Sequence, residues 1–453
     1  MGGIIMFAAY AVFMVLVTVF VTRKPKDTLE FHVADRNMGT IRSALSIAAT
    51  WIWAPALFVS AERAYLQGSI GLFWFLAPNV LCLILFIPFA KRIRERMPQG
   101  VTLSGFMGEQ YGIGTRRVYL FQLSALSVLS TGVNLLAGAA VLKTITGLPF
   151  PLLTVILAAI AYSYSRFSGI KASVITDAVQ MILILAACFL FVPWAIHRNG
   201  FESLITGLSG PGGVYGNIFS GTGLEVFLSF GLPTAIGLIV GPFGDQNFWQ
   251  RAFSIRREKI GKAFFLGAVA FGIVPLSMGF LGYIARGSGF TPDNPGVVNL
   301  EIVTSLFPAW STLPFVFMLV SGLLSTVDSN LCAMASLTTD ITKSENMAVP
   351  RGAMLLNLAL GILIANIPGM TITNLFLFYG TLRASTFAPT VMALQGKGLQ
   401  WVTPGVMIAL LAGLPVFAWG TFANLSIVKV AGSLITLGAS GAVALIGGYC
   451  ETT

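Results

Sequence analysis

Within an apolar run at about residues 313 to 337, long enough at helical rise to cross a bilayer, the chain carries groups that can coordinate, donate or titrate. Ser321, Ser325, Asp328, Cys332, Ser336 and Thr339 fall on one stripe at helical period, while Phe315, Phe317, Met318, Val320, Leu323, Leu324 and Leu331 cover much of the rest. A carboxylate at bilayer depth costs at least about 2.5 to 3.5 kcal/mol on insertion scales, so Asp328 must face a cavity or other protein. The stripe is expected to be wet and to mark a substrate or ion path. The alternative is that its hydroxyls only join helix to helix.

Three other stretches carry chemistry of the same kind. In Ala48-Ala49-Thr50-Trp51-Ile52-Trp53-Ala54-Pro55, Pro55 has no N–H and its ring crowds the carbonyl four residues back, that of Trp51. A carbonyl is thereby freed at mid-membrane, where irregular backbone survives only beside a cavity; an ordinary proline kink is the other reading. Ser173, Asp177 and Gln180 share a helical face, with Asp177 a turn or two inside the membrane boundary and so expected to be charged and wet. The segment 231 to 246, Gly-Leu-Pro-Thr-Ala-Ile-Gly-Leu-Ile-Val-Gly-Pro-Phe-Gly-Asp-Gln, is interrupted by Gly and Pro as the first stretch is. Its position five spans later suggests an inverted repeat with a site between two broken helices.

The elements that must hold these groups are membrane helices. Hydrophobic residues make up 56% of the chain against 10% charged, and apolar runs of about 20 residues recur from end to end. Spans are expected at about 3–21, 43–66, 69–90, 118–142, 148–165, 173–195, 223–248, 261–285, 312–341, 350–368, 371–394, 402–422 and 426–449, about thirteen in all. The net charge of +10 reflects Lys and Arg in loops on one side, which fits the orientation rule rather than a nucleic-acid partner. Arg23, Lys24 and Lys26 follow the first run instead of preceding it, so a retained helix is expected, N-terminus outside and C-terminus cytoplasmic. Loops bearing Lys91, Arg92, Arg116, Arg117, Arg166, Lys171, Arg251, Arg256, Arg257, Lys343, Arg351 and Lys397 belong inside. A Gly- and Ser-rich segment at 199 to 223 reads as an irregular outer lid or a plain connector.

The four cysteines lie in apolar spans without metal-ligand spacing, and His32 and His197, placed in loops, form no cluster with them. An enzyme would need a nucleophile with a base or a metal cluster, and neither is visible. A channel would not need broken helices, and a sensor would need a signalling domain where the chain instead stops just after its last span.

Ala48 to Pro55, Ser168 to Gln180, Asp245-Gln246-Asn247-Phe248-Trp249-Gln250-Arg251 and Ser325-Thr326-Val327-Asp328-Ser329, with Asp340 beyond, together resemble the sodium:solute symporter family from about Phe31 to Pro389. The resemblance implies an all-α polytopic protein with a LeuT-type core of five plus five inverted helices. Residues 1–42 would form an extra helix and loop, 43–195 the first repeat, 196–222 an outer loop, 223–395 the second repeat and 396–453 the C-terminal helices. It implies sodium-coupled import in the plasma membrane, with no nucleic acid and no obligatory protein partner. The family's sodium site matches the carbonyls of Ala48, Trp51 and Gly322 and the hydroxyls of Ser325 and Thr326; its exit-path aspartate matches Asp177, beside Asp328. Where some members hold a second sodium, the matching positions are Val327 and Asp328.

The solute is expected between the broken helices, against Trp51, Trp53, Leu238, Gly241, Asp245 and Gln246. Positions that hold sugar in one branch match Pro55 and Leu238 here, against a sugar. The urea-transporter branch is resembled most, in Trp51-Ile52-Trp53-Ala54, Tyr65 with Gly68, Phe73-Trp74-Phe75 and Asp245-Gln246-x-x-Trp249-Gln250-Arg251, while Ala61-Glu62-Arg63-Ala64 departs from it. Urea or a small amide stands first, and a sodium- or proton-coupled amino acid or nucleobase second.

Overall fold

The computed structural model describes residues 27–450 apart from residue 345, with six scattered positions (8, 9, 12, 13, 16 and 20) before them. Apart from those six positions, the expected first span, with Arg23, Lys24, Lys26 and the orientation read from them, lies outside the described residues. Among the described residues nine helices are long and apolar enough to cross a membrane. The chain runs through α1 (Thr40–Trp51), α2 (Ala54–Arg96), α3 (Leu103–Thr146), α4 (Phe150–Asn199), α5 (Gly221–Ile239), α6 (Gln246–Ser254), α7 (Ile260–Gly287), α8 (Thr312–Thr342), α9 (Ala348–Ala365), α10 (Ile372–Gln395), α11 (Val402–Phe422) and α12 (Ser426–Cys450).

At 43 residues α2 would be about 65 Å long if straight, twice the thickness of a hydrocarbon core. It turns back instead at Gly68, whose φ of 52° and ψ of −147° suit only glycine and whose bare Cα lies against the main chain of Leu208 and Gly210. α4 is interrupted in the same way at Gly169.

Loop contacts sort the connections onto two faces. On one, Arg36 donates to the Gly100 carbonyl, Arg96 to that of Ala393 and Tyr111 to that of Lys397, and Arg257 pairs with Glu95. On the other, Tyr65 donates to the Phe290 carbonyl, Thr373 to Glu62 and Asn366 to Thr154. The first face carries the loops rich in Lys and Arg, so the alternation expected from charge is the alternation of the fold. The segment at 199–223 is less irregular than expected: it holds the helix Phe201–Leu208, seated by Gly207 on the main chain of Tyr283. His32 is buried in the helix Thr28–Val33 rather than placed in a loop, and burial pushes its imidazole down to about 4.

α8 is the central post. Every residue from Met318 to Leu337 is buried, enclosed by α1, α3, α4 and α9. Ser321, Ser325, Asp328 and Cys332 of the stripe therefore face protein, the outcome that bilayer cost also permits, while Ser336 and Thr339 at its other end line a cavity of about 250 Å³ with His32 and Asp340.

α5 and α10 cross with their main chains in contact: a Cβ on Gly237 would come 2.7 Å from the Gly380 Cα. Gly237→Val should destabilise the protein by about 1–3 kcal/mol, seen as a lower melting temperature in detergent. An unchanged melting temperature would contradict this crossing.

Candidate functional site between two broken helices

α1 stops at Trp51, Ile52 leaves the helical region (φ −82°, ψ 80°), Trp53 is extended (φ −105°, ψ −179°), and α2 starts at Ala54 with Pro55 in its first turn. Proline fits there because a first-turn residue has no intrahelical acceptor to serve. Of the two readings of Pro55, the structure has the break. The exposed end is satisfied from outside the helix: Asn134 Oδ1 accepts from the Ala54 N–H at 3.0 Å. The second interruption separates α5 from α6, with one turn at Gly241–Gly244 and an extended Asp245 (φ −106°, ψ 118°) between them. The breaks lie side by side, since Trp51 packs on Phe248 at 5.0 Å and a Cβ on Gly241 would strike the Trp51 ring at 2.4 Å.

Beside the first break, the Thr326 hydroxyl lies 3.1 Å from the Ile52 carbonyl and 3.3 Å from those of Thr50 and Gly322. Its single proton can serve one of three carbonyls. The expected set named Ala48 and Trp51; here the Ala48 carbonyl accepts from the Ile52 N–H at 3.0 Å, and the carbonyls nearest Thr326 are those flanking Trp51. Ser325 turns toward Asp177, donating to Oδ1 at 2.6 Å.

Asp177 is fully buried, contrary to the expectation of a wet, accessible carboxylate. Arg251 seals it: the guanidinium, 1% exposed, places Nη2 2.8 Å from Asp177 Oδ2 and 2.8 Å from the Ser329 hydroxyl, and Nε 3.0 Å from that of Ser46. Ser46 in turn donates to Asp177 Oδ2 at 2.6 Å. By sequence, a position just after an apolar run places Arg251 among the loop charges; the short α6 instead carries it back into the core. Asp328 is buried nearby, beside Ser165 and Ser173, with one carboxylate oxygen lacking a hydrogen-bond partner.

At the second break a second pair is buried. Arg383, on α10, donates from Nε to Asp245 Oδ1 at 3.2 Å and from Nη2 to Oδ2, while Tyr379 donates to Oδ1 at 2.7 Å. The guanidinium lies 4.0 Å from the Tyr379 ring, 4.9 Å from Trp51 and 5.2 Å from Trp53. Trp51, Trp53, Gly241 and Asp245 thus meet around Arg383, a residue missing from the expected set although an arginine in mid-span was visible in the sequence. Gln246 does not join them. Its amide serves residues 101–103, accepting from the Leu103 N–H at 3.1 Å and donating to the Val101 carbonyl at 3.0 Å. Leu238 is buried and brings no polar atom.

A family profile described as the Sodium:solute symporter family matches residues 31–345. The chain belongs to that family. It is similar to the urea active transporter of Saccharomyces cerevisiae, 24% identical over 91% of this chain and 62% of the relative. It is similar also to the urea-proton symporter DUR3 of Oryza sativa subsp. japonica, 24% identical over 91% and 65%. The chain thus spans a little under two thirds of the length of these relatives. Its fold matches a Na+-coupled sialic acid symporter solved in a substrate-bound outward-open state, with a TM-score of 0.76, 14% identity and 98% of each chain covered. That likeness establishes the LeuT-type fold.

Removing one member of a buried pair costs about 3–5 kcal/mol, whereas exchanging both for neutral groups of similar volume is close to neutral. Arg251→Met and Asp177→Asn should each lower the melting temperature in detergent, and the double variant should recover most of the loss. A double variant as unstable as the two losses summed would mean that the pair does not act as a unit.

Proposed function

We propose that the protein is a sodium-coupled symporter of the plasma membrane that imports a small polar solute, urea or a similar amide first. The alternative solutes are an amino acid or a nucleobase. The observation that carries the reading is the oxygen cluster at the first break. One hydroxyl is set against three main-chain carbonyls within 3.3 Å, a neutral donor set that suits a desolvated monovalent cation. The proposed shell takes the Ser325 and Thr326 hydroxyls, the Gly322 carbonyl and carbonyls at the end of α1; the family resemblance matches those of Ala48 and Trp51, whereas those within 3.3 Å of Thr326 are those of Thr50 and Ile52. Ser325 keeps its lone pairs for the ion while its proton goes to Asp177, and that strong hydrogen bond polarises the oxygen toward a cation. Asp177 is then a positioning residue.

Asp177 is cancelled by Arg251 at 2.8 Å, so that pair brings no net charge of its own to the proposed shell. For sodium to leave past Asp177 and Asp328 toward the basic face, taken as cytoplasmic, Arg251 must swing off Asp177. A single charge moving through about 100 mV supplies roughly 2.3 kcal/mol, enough for accumulation on the order of fiftyfold. Urea stands first because the relatives named above are urea transporters.

Uptake of radiolabelled urea and other solutes into proteoliposomes tests the proposal. Wild-type uptake should follow an inward sodium gradient. Ser325→Ala and Thr326→Ala should each raise the half-saturating sodium concentration sharply, and the double variant should abolish sodium stimulation. The rival is a proton carried by Asp177, Asp328 or Glu62. Accumulation in sodium-free buffer under an inward proton gradient, undiminished in the double variant, would sink the sodium assignment.

A further inference from the structure

We propose that Arg383 is the solute anchor and that it selects a neutral carbonyl compound. This rests on the transport reading above and names the chemistry of its solute site. Arg383 sits between the two breaks, 2% exposed, with Nε and Nη2 committed to Asp245. Nη1 is buried and has no hydrogen-bond partner. The indole N–H of Trp53, on the ring beside the same guanidinium, is also buried without a partner. Two orphaned donors in one aromatic cluster call for an acceptor, because a buried unpaired N–H costs about 1–3 kcal/mol. Gly241 lies beside Nη1: a Cβ there would come within 3.2 Å of it and would collide with the Trp51 ring.

The charge of the acceptor follows from Asp245. That carboxylate already balances the guanidinium, so an anionic solute would leave an uncompensated negative charge in a buried site, whereas a neutral carbonyl would not. Asp245 also has acceptor capacity beyond Tyr379 and Arg383, since an ionised carboxylate offers about four lone-pair sites. A compound with a carbonyl oxygen for Nη1 and an N–H for Asp245, flat enough to lie against Trp51, Trp53 and Tyr379, complements the cluster. Small amides and ureas have that shape.

Access is laid out along α10. Thr373, Phe376 and Arg383 fall on one stripe, and Thr373 lines a cavity of about 650 Å³ with Phe58, Glu62 and Asn366 on the face opposite the basic loops. Phe376, one turn further along, packs on Trp53 at 5.7 Å and on Phe75 at 5.8 Å.

The test is uptake of radiolabelled urea by the full chain in proteoliposomes under a sodium gradient, with acetamide and acetate as competitors. Arg383→Lys keeps the charge opposite Asp245 but removes the planar fork. In protein that remains monodisperse, it should raise half-saturating urea by about tenfold to a hundredfold. Half-saturating sodium, measured at saturating urea, should stay within about twofold, since the shell at the first break is untouched. Trp53→Phe, which removes the indole N–H and keeps a ring, should raise half-saturating urea about tenfold. Acetamide should compete and acetate should not. Unchanged urea affinity in a folded Arg383→Lys, or stronger competition by acetate than by acetamide, overturns the anchor while leaving sodium-driven transport standing. If Arg383→Lys does not fold, Trp53→Phe decides on the same criterion. Absence of sodium-driven uptake of urea and acetamide by the wild type overturns this inference and the transport reading together.

Discussion

A charge taken into a membrane protein's interior must be cancelled there, and two carboxylate–guanidinium pairs meet that constraint here. Asp177 with Arg251 lies below the first break, and Asp245 with Arg383 lies in the second. Such pairs are poor instruments of stability, since well-packed apolar residues of similar volume serve as well or better. Their retention in so apolar a chain points to use. The serines around Asp177 satisfy its remaining lone pairs, as any buried pair requires, while Arg383 is wrapped by tryptophans and a tyrosine and keeps one nitrogen unpaired.

The two pairs are mechanically joined. α6 is nine residues long, begins directly after Asp245 and carries Arg251 in its last turn. A helix that short moves as one body, so a shift at the proposed solute site is a shift at the Arg251–Asp177 pair. Trp51 makes a second link: its indole lies against Arg383 while the carbonyls on either side of it face Thr326. Any coupling between cation and solute has these two short paths available, and each is an element with ends in both sites rather than a chain of remote contacts.

The break at Pro55 was legible because a missing N–H has a local consequence, and the second interruption was legible from its glycines and prolines. The polar stripe on α8 could be read from period alone. What lay beyond the sequence was the return of α6 into the core. Counting charges near span ends places Arg251 in a loop and leaves Asp177 wet; only the tertiary path of α6 brings the two together. Gln246 was misread for a related reason, as its amide looks like a ligand group until the main chain at Val101 and Leu103 is beside it. Arg383 was different. An arginine amid the apolar run at 371–394 is by itself a signal of a functional group, but nothing in the sequence near it names its partner, Asp245, which lies 138 residues away.

The proposed cation and solute sites also differ in what specifies them. The proposed shell at the first break takes three of its five oxygens from main chain, so any sequence that unwinds the helix there and supplies two hydroxyls rebuilds it. The solute cluster is built from side chains, Arg383, Asp245, Trp53 and Tyr379, and each can change while the backbone stays as it is. A structural neighbour at 14% identity can therefore share the fold without sharing the solute. The shape of the backbone bears on whether an ion is held. On the proposed reading, the identity of the passenger follows from which side chains at the second break are left with hydrogens to give.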